Sequence, residues 1–302
     1  MINLQIMYSI IVCSIRPEEA MLLKKSVEAT IGEGIPVEFI IHDNRGTGKG
    51  MCQVYNECAA KARYDYLCFV HEDVEFVTQD WGRLLADKLA EPDCGVIGFA
   101  GSAMKSRYVT GWNSTRRYGV RAHYVQGSRS GERVFDKNPY NQKFSQVVVL
   151  DGMCLFAHRR VWERNRFDDQ LLKGFHCYDV DFTLAAADSG FRNWVANTVY
   201  VKHKSEGSYN HDWFKDNVKM HRKWKKSLPM YVKDKGNLKR RYYEFRARNE
   251  WAYKMGVRNI YDECRPSDVA WYMVLHPFNS SSFRFLKGYL KNKNRKVLNG
   301  RK

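Results

Sequence analysis

YDYLCFVHEDVEF, residues 64–76, is an apolar run that breaks off into His71, Glu72, Asp73 and Glu75. The run reads as a strand buried on both faces that continues into its polar residues. In an open α/β sheet the ligand sits in the crevice at the carboxyl ends of the strands, so this polar ending is where to look for chemistry. Three acids within four positions crowd their charges, which is costly without a cation, and hard cations prefer such oxygen ligands. A solvated strand end would carry the same residues, so the surroundings have to decide.

Upstream, MCQVYNECAAKA (51–62) reads as a helix and VEFIIHD (37–43) as a second buried strand, closed by the turn formers Asn44, Gly46 and Gly48. Residues 17–30 have helical spacing, with Pro17 suited to a first turn and Met21, Leu22 and Val27 on one face. MYSIIVC (7–13) is a first strand. Downstream come a helix around 80–90 and the strand GVIGF (95–99). Strand–helix alternation of this kind indicates an α/β fold with a mostly parallel central sheet. From 101 to 145 the pattern lapses into Gly, Ser, Arg, Asn and Tyr, which predicts a long functional loop. FSQVVVLDGMCLFAHRRVWERN (144–165) restores order: a strand, a break at Asp151-Gly152, a short strand and a helix start. A helix over 178–189, one strand over 194–201 ending at His203, and a helical, basic, aromatic remainder complete the reading.

The polar residues after each strand are the candidate site: Ser14 and Arg16, Asp43 and Asn44, His71, Glu72 and Asp73, Asp151, and His203. Acids, an amide and imidazoles on one sheet edge suit a divalent cation and a phosphorylated ligand. In GFHCYDVDFTLAAADSG (174–190), Asp179 and Asp181 open a helix, where acids either complement the dipole or supply a general base. His203 taken alone reads more readily as a structural histidine than as a ligand.

Composition limits the alternatives. The 302 residues are 44% hydrophobic and 14% aromatic, too rich for a disordered chain. Residues 1–214 hold 26 Lys+Arg against 26 Asp+Glu, whereas 215–302 hold 24 against 7, so the whole +17 lies in the last segment. Basic clusters interleaved with aromatics there, such as HRKWKK (221–226) and FRFLKGYLKNKNRK (283–296), suit an anionic membrane surface. A solvated helical face is the alternative, and the acidic crevice argues against nucleic acid. Eight cysteines without a CxxC pair read as free thiols in a reducing compartment. No apolar run nears the ~20 residues of a membrane span. These features lead us to expect a cytoplasmic protein, peripheral on the inner membrane face.

In this order and spacing, SIIVCS, FIIHDN, YNECAAKARYDYLCFVHEDV, VVVLDGMCLFAHRRVWE, FHCYDVDFTLAAADSGFRNWV and VKHKS resemble the family-2-like glycosyltransferases of the GT-A fold. The nearest likeness is to a bacterial subgroup whose metal motif reads His-(Gln/Glu)-Asp-Val in place of Asp-x-Asp, and it covers roughly residues 6–210. The resemblance implies a GT-A domain over 1–212, with a donor half to about 100 and an acceptor half beyond, followed by a helical basic extension over 213–302. It implies that Ser14 and Asp43 contact base and ribose with Asn44 supporting them, and that Arg16, His71 and Glu72 join this nucleotide-sugar site. Asn56 would back the donor site. Asp73 would be the main ligand of a Mn²⁺ or Mg²⁺ ion, with His203 and His71 beside it. Asp151 and Gly152 would belong to the acceptor side. In the 101–145 segment Trp112, Asn113, Arg116, Arg117 and Tyr118 suit an acceptor wall, since aromatics and arginines favour sugar stacking and anionic groups, with a merely solvated loop as the alternative. Asp179 falls at the aspartate of the family's Glu-Asp pair, with Tyr178 in place of the glutamate, and Asp181 follows it among the catalytic candidates. The implied reaction is inverting transfer from a nucleotide-sugar, UDP-linked by preference, to a glycan or lipid-linked glycan in bacterial surface polysaccharide synthesis. A binding protein on the same fold without turnover is the second reading. A basic nucleic-acid-binding protein, indifferent to Asp73, is the third.

Overall fold

Alternate side chains of the first strand are buried on opposite faces because helices cover the sheet on both sides. In a computed structural model of the chain, residues 6–115, 119–128, 131–205, 207, 210–232, 237–258, 266–278 and 280–299 are described. Strand β1 (Tyr8–Ser14), helix α1 (Pro17–Thr30), β2 (Val37–Asp43), α2 (Met51–Lys61) and β3 (Tyr66–His71) give the alternation read from the sequence. Then come β4 (Val74–Phe76), α3 (Trp81–Ala90), β5 (Cys94–Gly98), β6 (Ala100–Ser102), β7 (Met104–Lys105), β8 (Val120–Ser128) and β9 (Gly131–Lys137). These are followed by β10 (Phe144–Val147), β11 (Val149–Leu150), β12 (Cys154–His158), α4 (Arg159–Arg164), α5 (Tyr178–Asp188), β13 (Arg192–Ala196), β14 (Val201–His203), α6 (His211–Lys223) and β15 (Met230–Tyr231).

The central sheet has the order β10-β13-β5-β12-β3-β1-β2. β1 pairs in parallel with β2 and β3, and β5 with β13, while β12 and β10 run against their neighbours. On β1 and β3 the residues Ile11, Leu67 and Phe69 join the core under α2 and α5. Ile10, Val12, Cys68 and Val70 join the core under α1 and α3, with Trp81 at its centre. Burial on both faces is why these strands read as continuous apolar runs.

A second sheet, β11-β6-β8-β14-β4 with β9 added to β8, takes up the strands that follow β3, β5, β10 and β13 in the chain. It corrects three sequence expectations. Segment 64–76 is two strands in two sheets, split at Glu72-Asp73, and residues 192–203 likewise supply β13 to one sheet and β14 to the other. The expected long loop over 101–145 is largely strand, with a 3₁₀ turn at Trp112–Thr115. β9 (GERVFDK) is mostly exposed and charged, so its alternation is masked as an edge strand's often is. Arg116, Arg117 and Tyr118 lie outside the described residues, as does Cys264. The seven described cysteines are free thiols.

The chain divides into a unit formed by residues 1–105 and 111–234 and a second formed by 106–110 and 235–302. The first unit continues past residue 212 because α6 buries Phe214, Val218 and Met220, and Trp224 follows them into the core. The second unit holds the helices α7 (Asn237–Arg258), α8 (Pro266–Leu275) and α9 (Ser280–Asn299). No described helix is long and apolar enough to cross a membrane.

Candidate active site

The turn at Glu72-Asp73 carries the chain from one sheet to the other, and β14 runs antiparallel to β4 with His203 opposite Val74. That register brings the last residue of β14 beside the turn. The Asp73 carbonyl accepts from Lys204 N–H at 3.1 Å, and its Oδ2 accepts from Ser205 N–H at 3.1 Å. His203 Nε2 lies 3.5 Å from Asp73 Oδ1 and is buried without a hydrogen-bond partner among the described residues. His71, at the end of β3, brings its ring to 5.6 Å from that of His203. One donor atom from each of His71, Asp73 and His203 falls within 4.8 Å of the others. Two imidazoles and a carboxylate converging on one point, one nitrogen unsatisfied, fit a divalent cation. Burial, then the neighbouring His203, lowers the pKa of His71 and so keeps it neutral, as a ligand must be. Burial would raise the pKa of Asp73, but His203 and the Ser205 amide outweigh it and hold the carboxylate ionised.

Two cavities meet at His71. The first, about 430 Å³, is lined by Arg16, Asn44, Lys49, Lys173 and the backbone of Gly48 and Gly50, with His71, Glu72 and Asp73 as its floor. Gly50 precedes α2, and a Cβ there would meet the Lys173 carbonyl carbon at 2.6 Å, so only glycine allows the approach. Arg16 Nε donates to Glu72 at 2.9 Å while one terminal nitrogen reaches Asp73 at 3.5 Å. The second cavity, about 450 Å³, is lined by Trp112, Asp151, Gly152, Tyr178, Asp179 and Trp213, with His71 and His203 at its inner end. Phe175, 56% exposed, borders both.

Asp179 stands in the first turn of α5, behind Cys177, whose φ of 66° is unusual for a non-glycine residue. Burial first, and the Asp151 carboxylate second, raise the Asp179 pKa to about 7, where a proton acceptor is most useful. Asp151 holds the turn by accepting from Met153 N–H at 2.9 Å. A Cβ on Gly152 would come within 2.7 Å of Tyr178 Cζ and 3.0 Å of Asp179 Cβ.

The structure gathers Arg16, Asn44, His71, Glu72, Asp73, Trp112, Asp151, Gly152, Asp179 and His203 around these cavities, with Asn113 in the wall of the second. Four expected site residues are placed otherwise. Asp181 lies outside both cavities, because positions i and i+2 of a helix point apart. Its buried carboxylate accepts from Lys223 Nζ at 2.8 Å and Trp224 Nε1 at 2.7 Å, tying α6 to α5. Asn56 has both ends of its amide engaged, donating to the Phe167 carbonyl and Asp169 and accepting from Trp162 Nε1 and Phe167 N–H. Ser14 is buried and donates to Glu72 Oε2 at 2.7 Å, so it supports the site instead of facing it. Asp43 sits exposed at the rim in a salt bridge with Arg45. Glu72 itself accepts from Ser14, from the Ile15 and Arg16 amides and from the Arg16 side chain, which makes it the clamp of the β1–α1 loop. Sequence reasoning missed Lys173, Phe175 and Trp213; the first two sit in an irregular stretch where no periodicity marks them.

The geometry agrees with comparisons to known proteins. A sequence profile of the family described as "Glycosyltransferase like family" matches residues 9–227. Among solved structures, S. aureus TarS 1–349 in complex with UDP-GlcNAc aligns with a TM-score of 0.51 at 11% identity, covering 96% of this chain and 92% of that one. GalNAc-T7 with UDP, GalNAc and Mn²⁺ aligns at 0.49 with 10% identity over 84% of this chain, which spans 58% of that protein. No curated protein matches the sequence.

Proposed function

The chain belongs to the glycosyltransferase-like family, and from that premise we propose that it moves a sugar from a UDP-sugar to a hydroxyl of a glycan or lipid-linked glycan, with inversion. The observation that carries this reading is the junction itself: His71, Asp73 and His203 between a cavity walled by Arg16, Lys49 and Lys173 and one that presents a carboxylate of raised pKa. TarS, which shares the fold, was solved with UDP-GlcNAc, and a UDP-sugar is the ligand this first cavity would take. Arg16 and Lys173 would face the diphosphate and Asn44 the nucleoside. His71, Asp73 and His203 would hold a Mn²⁺ or Mg²⁺ ion. Such an ion supplies charge neutralisation for the departing diphosphate.

The acceptor would enter the second cavity between Trp112 and Trp213, aromatic surfaces suited to a sugar ring. Asp179 takes the proton of the attacking hydroxyl. The acceptor oxygen bonds to the anomeric carbon as the carbon–oxygen bond to the β-phosphate breaks, and UDP leaves with that electron pair. Asp151 keeps Asp179 basic enough for the task, and Glu72 fixes Arg16 over the leaving group. The catalytic unit would extend to residue 234. The basic helices of residues 235–302 would meet anionic lipid, in keeping with a lipid-linked acceptor.

Release of UDP from a panel of UDP-sugars tests this, with Asp179→Asn as the control. The variant should bind UDP within about twofold of wild type and lose on the order of 10²–10⁴ in turnover, the usual worth of a positioned base. Turnover within threefold of wild type in Asp179→Asn would remove Asp179 from the mechanism, and the product's anomeric configuration reports inversion directly.

A further inference from the structure

The family resemblance expects a glutamate where this chain has Tyr178, and the structure gives that tyrosine a connected set of partners. Its ring is buried, and its hydroxyl lies 2.6 Å from His71 Nε2 and 3.0 Å from the Gly152 carbonyl oxygen. A hydroxyl has one proton to donate. The Gly152 oxygen can only accept, so the Tyr178 proton goes there, and the contact with His71 must then be a donation from the imidazole Nε2–H. That assigns His71 the Nε2–H tautomer and leaves the lone pair on Nδ1, the other side of the ring. A histidine can hold a cation only through a bare nitrogen, and the partner of its second nitrogen decides which one is bare.

We propose that Tyr178 is a positioning residue that fixes the tautomer and orientation of His71, making it a full third ligand beside Asp73 and His203. The proposal rests on the cation site inferred above. It also couples that site to the acceptor side, because the same hydroxyl anchors the Asp151-Gly152 turn. Any side chain on Gly152 would displace the Tyr178 ring. The donor set so completed, two imidazoles and one carboxylate, suits a first-row transition ion better than Mg²⁺, which prefers carboxylate and water oxygens.

Titration of the metal-free protein with Mn²⁺ and with Mg²⁺, followed by calorimetry, tests the proposal without any turnover. Tyr178→Phe keeps the ring and removes the hydroxyl. It should weaken Mn²⁺ binding about 10–100-fold and narrow the Mn²⁺ over Mg²⁺ preference, an effect a merely structural role would not have. His71→Ala should weaken Mn²⁺ at least as much, and the double variant no further. Mn²⁺ affinity and metal preference unchanged in Tyr178→Phe would overturn the proposal. In the wild-type protein, ¹⁵N shifts of the His71 ring should report the Nε2–H tautomer, and an Nδ1–H tautomer would overturn it with no variant involved. Failure of the underlying site looks different: wild type and Asp73→Ala would then bind Mn²⁺ alike or not at all.

Discussion

In the proposed mechanism Asp179 accepts the substrate proton, and its environment makes two predictions of opposite sense. Burial and Asp151 favour its neutral form, with the pKa moved from 3.8 to about 7. An acceptor of the substrate proton must be ionised, so kcat/KM should climb about tenfold per pH unit below 7 and level off above it. Stability runs the other way. The contribution of the neutral carboxyl is complete below pH 3.8 and is lost as pH rises to about 7, because the unfolded chain ionises first. Asp179→Asn, neutral at every pH, should therefore be more stable than wild type at pH 8, by on the order of 2 kcal/mol for a part-buried group. The gain should vanish near pH 4. Urea denaturation of both proteins at the two pH values measures it, and equal differences at both would contradict the assignment.

Elements show where the sequence was legible and where it was not. α1, β2 and α3 fall close to their expected limits, because helical spacing with Pro17 at the start, or an unbroken apolar run, is a local signal. The β3–β4 and β13–β14 breaks were hidden. In each, apolar residues resume at once after a short polar break, Glu72-Asp73 in one and Asn197-Thr198 in the other, and pairing partners distant in sequence decide that the chain changes sheets there. The candidate cation site was legible because its ligands end strands. Asp181 was misjudged for a related reason: composition shows that two acids open a helix but not which way each faces. Its ion pair with Lys223 and bond to Trp224 join α5 to α6. Asp181→Ala should destabilise the fold by about 2 kcal/mol, since it leaves the buried indole N–H without its acceptor and the Lys223 ammonium with Asp168 alone. UDP binding to the folded variant should stay within about twofold, whereas a tenfold loss would restore Asp181 to the site. Gly152→Ala, by forcing Tyr178 aside, should cost about 1–3 kcal/mol in the same denaturation assay.

At the scale of the whole molecule, most of the basic excess read from the sequence falls in the second unit, which carries 17 Lys+Arg against 5 Asp+Glu over residues 235–302. In it Val274, Phe278 and Phe283 are 70%, 98% and 59% exposed. Apolar side chains among cations match an anionic bilayer. The protein should co-sediment with phosphatidylglycerol vesicles and not with phosphatidylcholine vesicles. Phe278→Ser with Phe283→Ser should weaken that binding about tenfold; retention at wild-type levels would argue that charge alone, or no membrane at all, is involved. The central claim concerns the first unit: a nucleotide-diphosphate site organised by Asp73 and completed by a divalent cation. Calorimetric titration with UDP and with GDP, with and without Mn²⁺, for wild type and Asp73→Ala, tests it most directly. The account predicts UDP binding that needs Mn²⁺ and is lost in Asp73→Ala. UDP binding that ignores both the ion and the substitution, or no binding of either nucleotide, would contradict it.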